Sequence, residues 1–239
     1  MQPATTVEQH YSPPTGRFGL SGGVFFMTTH ADRVAVFIDW QNVYKGAREA
    51  FGLRGQGSER GNFSPYRLAK LLAAGNDRGS DGSLVLVEVH RGLPSSSRDS
   101  IGFGANRRQS AAWMAENPEI VIPRMRPLRY TNPDPLSGDL DAEEKGIDVQ
   151  LALSAVENTL TTQCEVAVIF SHDTDLKPAV EMIARITGKS HIETASWISP
   201  TFQKRLRTKP EVFHHAIPES VFLSVETPTN YAYKGNNPN

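Results

Sequence analysis

Acidic residues from three separate stretches stand where a strand or a helix start would aim them at one point. Asp39 closes the apolar run Arg33-Val-Ala-Val-Phe-Ile-Asp39. Asp173 and Asp175 follow a second such run, Glu165-Val-Ala-Val-Ile-Phe-Ser-His-Asp-Thr-Asp175. Asp148 opens the helical stretch Lys145-Gly-Ile-Asp148-Val-Gln-Leu-Ala-Leu. In an open parallel sheet the ligand crevice lies outside the carboxyl ends of the strands, so strand-end acids meet there. Gathered carboxylates repel and raise one another's pKa unless a cation intervenes. The pattern predicts a divalent-metal site built from oxygen ligands.

Each acid also has an ordinary reading. Asp39 is placed to cap the helix that follows Trp40-Gln41-Asn42, and Asn42 can cap it too or orient a ligand water. Asp175 precedes Leu176-Lys177-Pro178 and is a natural N-cap. In an extended backbone Ser171, Asp173 and Asp175 share one side, with His172 and Thr174 on the other. Asp173 is favoured for chemistry and His172 as a packed or solvent-facing side chain. Val149, Leu153, Val156 and Leu160 repeat at helical spacing and mark the expected buried stripe. Asp148 is about 100° round from Val149, in line with Ala152 and Ala155. A helix dipole accepts an acid near its start, but does not explain why that acid borders the buried face. The run Asp139-Leu-Asp141-Ala-Glu143-Glu144 alternates like a calcium loop, yet carries Glu144 where such a loop needs glycine, and reads as solvation and helix-start charge.

The elements that position these residues alternate strand with helix, the pattern of a parallel sheet with crossover helices. Strands are expected at Arg33–Asp39, Ser83–His90, Glu119–Ile122, Val166–Phe170 and Lys189–Ala195. Helices are expected at Asn42–Phe51, from Ser64-Pro65 to Gly75, and at Ala105–Asn117, Glu143–Leu160 and Leu176–Thr187, with Pro123–Gly138 irregular. Residues 1–30 read as a disordered extension, 31–224 as one domain and 225–239 as a flexible tail. Met27 leads straight into the first strand, so a hypothesis is that it initiates the native chain; a native N-terminal peptide beginning earlier would rule this out.

With 239 residues, 38% of them hydrophobic, 21% charged, and a net charge of −1, the composition is that of a globular domain. A single cysteine, Cys164, excludes an intramolecular disulfide and a cysteine-based zinc site, and its place beside an apolar strand predicts an inert core thiol. Apolar runs are too short to span a bilayer and residues 1–26 lack a secretory pattern, so a cytoplasmic setting and no membrane partner are expected. Between Arg91 and Tyr130 stand Arg91, Arg98, Arg107, Arg108, Arg124, Arg126 and Arg129, against Asp99, Glu116 and Glu119. Lys204, Arg205, Arg207 and Lys209 form a second basic group. Arginine-rich segments opposite an acidic cluster suit a phosphate-bearing substrate; a solvated surface explains either segment equally well.

Three pieces together, Val36-Phe-Ile-Asp39-Trp-Gln-Asn42, Lys145-Gly-Ile-Asp148-Val and Ser171-His-Asp173-Thr-Asp175-Leu-Lys-Pro178, resemble the NYN domain family. These are PIN-like metal-dependent ribonucleases that include the LabA-like proteins, and the resemblance covers roughly residues 33–200. It implies a three-layer α/β PIN-like fold with a central, mostly parallel sheet of about five strands flanked by helices. The family's metal-binding acids fall on Asp39, Asp148 and Asp173, with Asp175 as an added acid. Ser171 and Asn42 fall on supporting positions. The chain departs from the family's usual small residue after the first acid by carrying Trp40, which either narrows the pocket or offers a base-stacking surface.

Hard oxygen ligands of this number suit Mg²⁺ or Mn²⁺, one or two ions, which keep several waters. The expected activity is endonucleolytic hydrolysis of single-stranded RNA. Arg91, Arg107 and Arg108 would bind flanking phosphates, and Trp40, Phe103 or Trp113 would stack on bases. Two rivals stand. One is an RNA-binding or regulatory module that kept the fold and lost the chemistry. The other is a phosphohydrolase with an aspartyl nucleophile, which wants a second acid at position 41, where this chain has Gln.

Overall fold

A computed structural model describes residues 31–74, 82–131 and 142–232. The expected extension at 1–30, Met27 within it, and residues 233–239 of the expected tail lie outside the described residues.

The first strand, β1 (Arg33–Asp39), is apolar on both faces, as a central parallel strand must be. Val34, Val36 and Ile38 point into one core, and Ala35 and Phe37 into a second on the opposite face of the sheet. The chain then runs outward through α1 (Trp40–Ala50), α2 (Pro65–Ala74), β2 (Ser83–Leu93), α3 (Ser100–Glu116) and β3 (Val121–Pro127). A small antiparallel pair, β4 (Arg129–Tyr130) with β5 (Ala142–Glu143), precedes α4 (Ile147–Leu160). The chain returns to the other side of β1 as β6 (Val166–Phe170), α5 (Lys177–Ile186), β7 (Ile192–Trp197), β8 (Phe213–Ile217) and α6 (Glu219–Val225).

The sheet order is β3-β2-β1-β6-β7-β8, parallel throughout. Because winding reverses between β1 and β6, the loops leaving their carboxyl ends diverge and open a crevice. The α/β class and the parallel sheet between helices are as expected for a PIN-like fold. The sheet has six strands rather than about five, since β8 extends it beyond β7.

Several expected elements shift. Helix α3 begins five residues before Ala105, where the Asp99 carboxylate accepts the Gly102 N–H at 2.7 Å. β3 starts at Val121 and runs to Pro127, so part of the segment expected to be irregular pairs with β2. Helix α4 buries Ile147, Leu151, Ala155 and Thr159 instead of the bulkier row. Of the expected stripe, Val149 (56% exposed), Leu153 (64%) and Leu160 (41%) face outward, while Val156 is half-buried against the second core. Residues 226–229, in the segment expected to be a tail, are tied to the domain. Thr227 N–H donates to the Asn62 carbonyl, Asn62 Nδ2 donates to the Thr229 carbonyl, and Glu226 pairs with Arg60. Cys164 is buried, and burial pushes its thiol up to about 11, as an inert core thiol requires. Among the described residues no helix is long and apolar enough to cross a membrane.

Candidate functional site

Strand β1 passes into α1 without a connecting residue, so Asp39 serves both elements. It is the last residue of β1 and the N-cap of α1, its Oδ1 accepting the Asn42 N–H at 3.3 Å. Its other oxygen accepts the Ser171 hydroxyl at 3.0 Å, and that hydroxyl accepts the Asp173 N–H at 3.0 Å. Asp173 in turn caps a short 3₁₀ turn, accepting the Asp175 N–H at 3.0 Å. Capping and site-building are one arrangement here. Asp175 caps nothing: α5 has no side-chain cap, and the Asp175 side chain is exposed.

Asn42 closes a second link across the crevice. Its side-chain oxygen accepts both the His172 N–H at 2.8 Å and the His172 Nδ1–H at 2.9 Å. His172 is packed, with Phe202 edge-on at 5.1 Å and Gly46 directly beneath. A Cβ at Gly46 would stand 2.3 Å from the imidazole Cε1, so α1 docks this closely only because residue 46 has no side chain. Burial, with Lys204 and His214 adding to it, pulls His172 down to about 4 and keeps the ring neutral at ordinary pH.

Around this frame a cleft of about 370 Å³ opens, walled by Asp39, Asp148, Asp173, Asp175 and Glu144. The four acids singled out from sequence therefore share one cavity. Gln41, Asn42 and Lys45 complete its α1 side. Lys45 went unread in the sequence, and Glu144 was read there only as solvation and helix-start charge. Lys45 lies one turn after Gln41 on a helix that starts at the acid, so its spacing carried the signal. Glu144 was absorbed into a run that resembled helix-start charge; its Oε1 accepts the Gly92 N–H at 2.8 Å, which ties the start of α4 to β2.

Asp39 is only 7% exposed. Burial raises its carboxyl to about 6; the Ser171 and Asn42 hydrogen bonds oppose this, and the charges of Glu144 and Asp173 add to it. A buried carboxylate among other carboxylates lacks a counter-charge, and a divalent cation is the ordinary remedy. The donor chemistry fits a hard ion. Among the described residues, however, no three His, Cys, Asp or Glu side chains are grouped to hold an ion directly. The set therefore suits an ion that keeps much of its water, as Mg²⁺ does.

The residues expected to contact RNA divide differently. Trp40 is 2% exposed and packs on Trp113 (4.3 Å between ring centroids) and Phe63 (4.9 Å), so it offers no stacking surface; its bulk belongs to the core. Trp113 is buried with it. Arg91 is no free arm either. Its guanidinium lies 5.8 Å from the Trp40 ring and 5.5 Å from the Trp113 ring, and it donates to Gln109 Oε1 at 2.6 Å. Burial pulls it down to about 10, opposed by Glu144, so it stays charged. Arg108 is occupied by the Tyr231 carbonyl. Arg107 is exposed, but none of the three lines the cleft. In the second basic group, Lys204 pairs with Glu49 and Arg205 with Glu211.

Compared with known proteins, residues 33–214 match the NYN domain model. No curated protein matches the chain. A crystal structure of a protein of unknown function from Vibrio parahaemolyticus is similar at 18% identity and a TM-score of 0.49, covering 80% of this chain and 96% of that one.

Proposed function

Because the chain belongs to the NYN domain family, a family of PIN-like nucleases, we propose that it is a metal-dependent endoribonuclease acting on single-stranded RNA. The observation that supports this most is the single cleft shared by Asp39, Asp148, Asp173 and Asp175 at the sheet's winding reversal. Asp39 and Asp173 would hold Mg²⁺ or Mn²⁺, with Asp148, Asp175 and Glu144 gripping its water shell. When bound, such an ion supplies an activated water and offsets charge on phosphorus.

The chain's own groups do the positioning. Ser171 orients Asp39 by donating to one oxygen and steadies Asp173 through its backbone N–H. Asn42 and the packed His172 lock α1 against the end of β6, which fixes the spacing between the two acids. Lys45 gives the otherwise acidic wall one cation that a phosphodiester can approach.

The test is cleavage of single-stranded RNA with Mn²⁺. Asp39→Asn and Asp173→Asn are each expected to lower the rate roughly 10²- to 10³-fold, the usual loss when one preorganised electrostatic group is removed. Cleavage that survives both substitutions and chelation overturns the proposal. A non-catalytic RNA-binding or regulatory module is the second reading, favoured by the lack, among the described residues, of a ready-made group of three direct ligands. Tight RNA binding with no cleavage in Mg²⁺ or Mn²⁺ would establish that reading instead.

A further inference from the structure

Beside the acidic cleft, under the first turns of α4, lies a second cavity of about 450 Å³. Four chemistries meet in its walls: Arg124 and Arg126 are cationic, Glu157 is anionic, Val149 and Leu153 are apolar, and His90, Gln150 and Ser154 are polar. The sheet register sets Asp39 beside His90 and His90 beside Arg124. Register partners point to the same face, so Asp39 is one strand spacing, about 5 Å, from His90 and two, about 10 Å, from Arg124. The two sites also share the start of α4, with Gly146, Val149 and Gln150 in one and Ile147 and Asp148 in the other.

The polar walls are incomplete. His90 is fully buried, and its Nε2 lies 3.0 Å from Glu88 Oε2. Glu88 also accepts from Arg124 and Ser154, which keeps it ionised, so the His90 Nε2 must carry the hydrogen. The hydrogen on Nε2 leaves Nδ1 over, and it has no partner among the described residues. Gln150 Oε1 is buried and unpartnered as well. Folded proteins seldom leave two such atoms unmade in one cavity unless a ligand or solvent completes them. On the cationic side, no acceptor among the described residues holds Arg126, and Arg124, 44% exposed, shares only one Glu88 oxygen.

We propose that this cavity is a nucleotide subsite, taking one residue of the RNA strand whose scissile phosphate lies in the acidic cleft. It rests on the nuclease reading. Arg126 and Arg124 bind the nucleotide's phosphate, where a strand leaving an acidic cleft needs neutralisation. Val149 and Leu153 cover the base, and the unpartnered Gln150 Oε1 receives a hydrogen of an exocyclic amino group. The volume is within the usual 300–1,000 Å³ of small-molecule sites.

The probe is adenosine 5′-monophosphate, titrated calorimetrically into the full chain with chelator present, so that neither metal nor catalysis is needed. Inosine 5′-monophosphate replaces the amino group by oxygen at equal size, and inorganic phosphate reports the arginines alone. Adenosine monophosphate is expected to bind at least fivefold more tightly than the inosine compound, and more tightly still than phosphate. Arg126→Ala and Leu153→Glu, both surface changes, are each expected to weaken it at least fivefold and to raise KM for RNA more than they lower kcat. Equal binding of the three probes, or no change in either variant with the fold intact by circular dichroism, overturns the subsite. Nucleotide binding by a chain that cleaves no RNA supports the subsite and removes the nuclease reading. RNA cleavage without selective nucleotide binding does the reverse.

Discussion

Asp39 and Glu88 are buried carboxylates on neighbouring strands, on the same face of one sheet, and they are held in opposite ways. Burial works to raise both. At Glu88 the hydrogen bonds of His90, Arg124 and Ser154 outweigh it and hold the carboxyl at about 2. At Asp39 one hydroxyl and one backbone N–H fall short, and the carboxyl stands at about 6. A buried acid with its cation and hydrogen-bond donors already in place is architecture. One left short of positive charge, with further acids around the same cavity, is a place for something to bind.

The first of the two largest expected effects tests the structural half of that contrast. Glu88→Ala leaves the buried His90 and the partly exposed Arg124 without their acceptor and should destabilise the fold by about 2–3 kcal/mol. A thermal melt should fall on the order of 10 °C; a change of only a degree or two would break the comparison. Asp39→Asn should act the other way. With a folded pKa of about 6, above the ordinary 3.8, the unfolded chain loses this proton first as pH rises. The wild type is therefore penalised progressively between these values and fully above 6, and the variant should gain about 2–3 kcal/mol at pH 8. At pH 3.5 the gain should vanish, and a variant destabilised at pH 8 would contradict the account.

Metal binding sharpens the contrast further. Mn²⁺ must displace the Asp39 proton, so below pH 6 its affinity should drop about tenfold per pH unit, measurable by paramagnetic relaxation. Smallest is Ser171→Ala. Removing the hydroxyl that donates to Asp39 should move the acid limb of the Mn²⁺ titration to higher pH; an unmoved or lowered limb would deny Ser171 its role.

Much of this was legible because of strong local patterns. The runs ending at Asp39 and Phe170 are apolar on both faces, which only central parallel strands require, so the acids just after them fell at the right edge. Asp148 lines the cleft even though the stripe beside it was misread. Two rows of α4 have helical period, and the bulkier one, Val149, Leu153 and Leu160, proved to be the exposed one. The small Ala155 sits on the inner row, and side-chain size alone could not signal which face the sheet would cover. β8 was missed because Phe213-His-His-Ala-Ile217 is short and half polar; His214 bonds Thr194 and Ser196, and His215 bonds Glu193, partners that only the folded chain brings near. Trp40 misled for a related reason. Its position beside an acid suggests a ligand surface, but the first residue of α1 turns inward.

The absent side chain at residue 46 makes α1 an element with no tolerance in its seat. Even a methyl group there must displace an imidazole pinned by Asn42, tilting the helix whose N-cap is the cleft carboxylate of Asp39. A mutation that touches neither the cleft nor any charge could thus silence the protein, and a genetic screen for inactive alleles should recover position 46 alongside the acids.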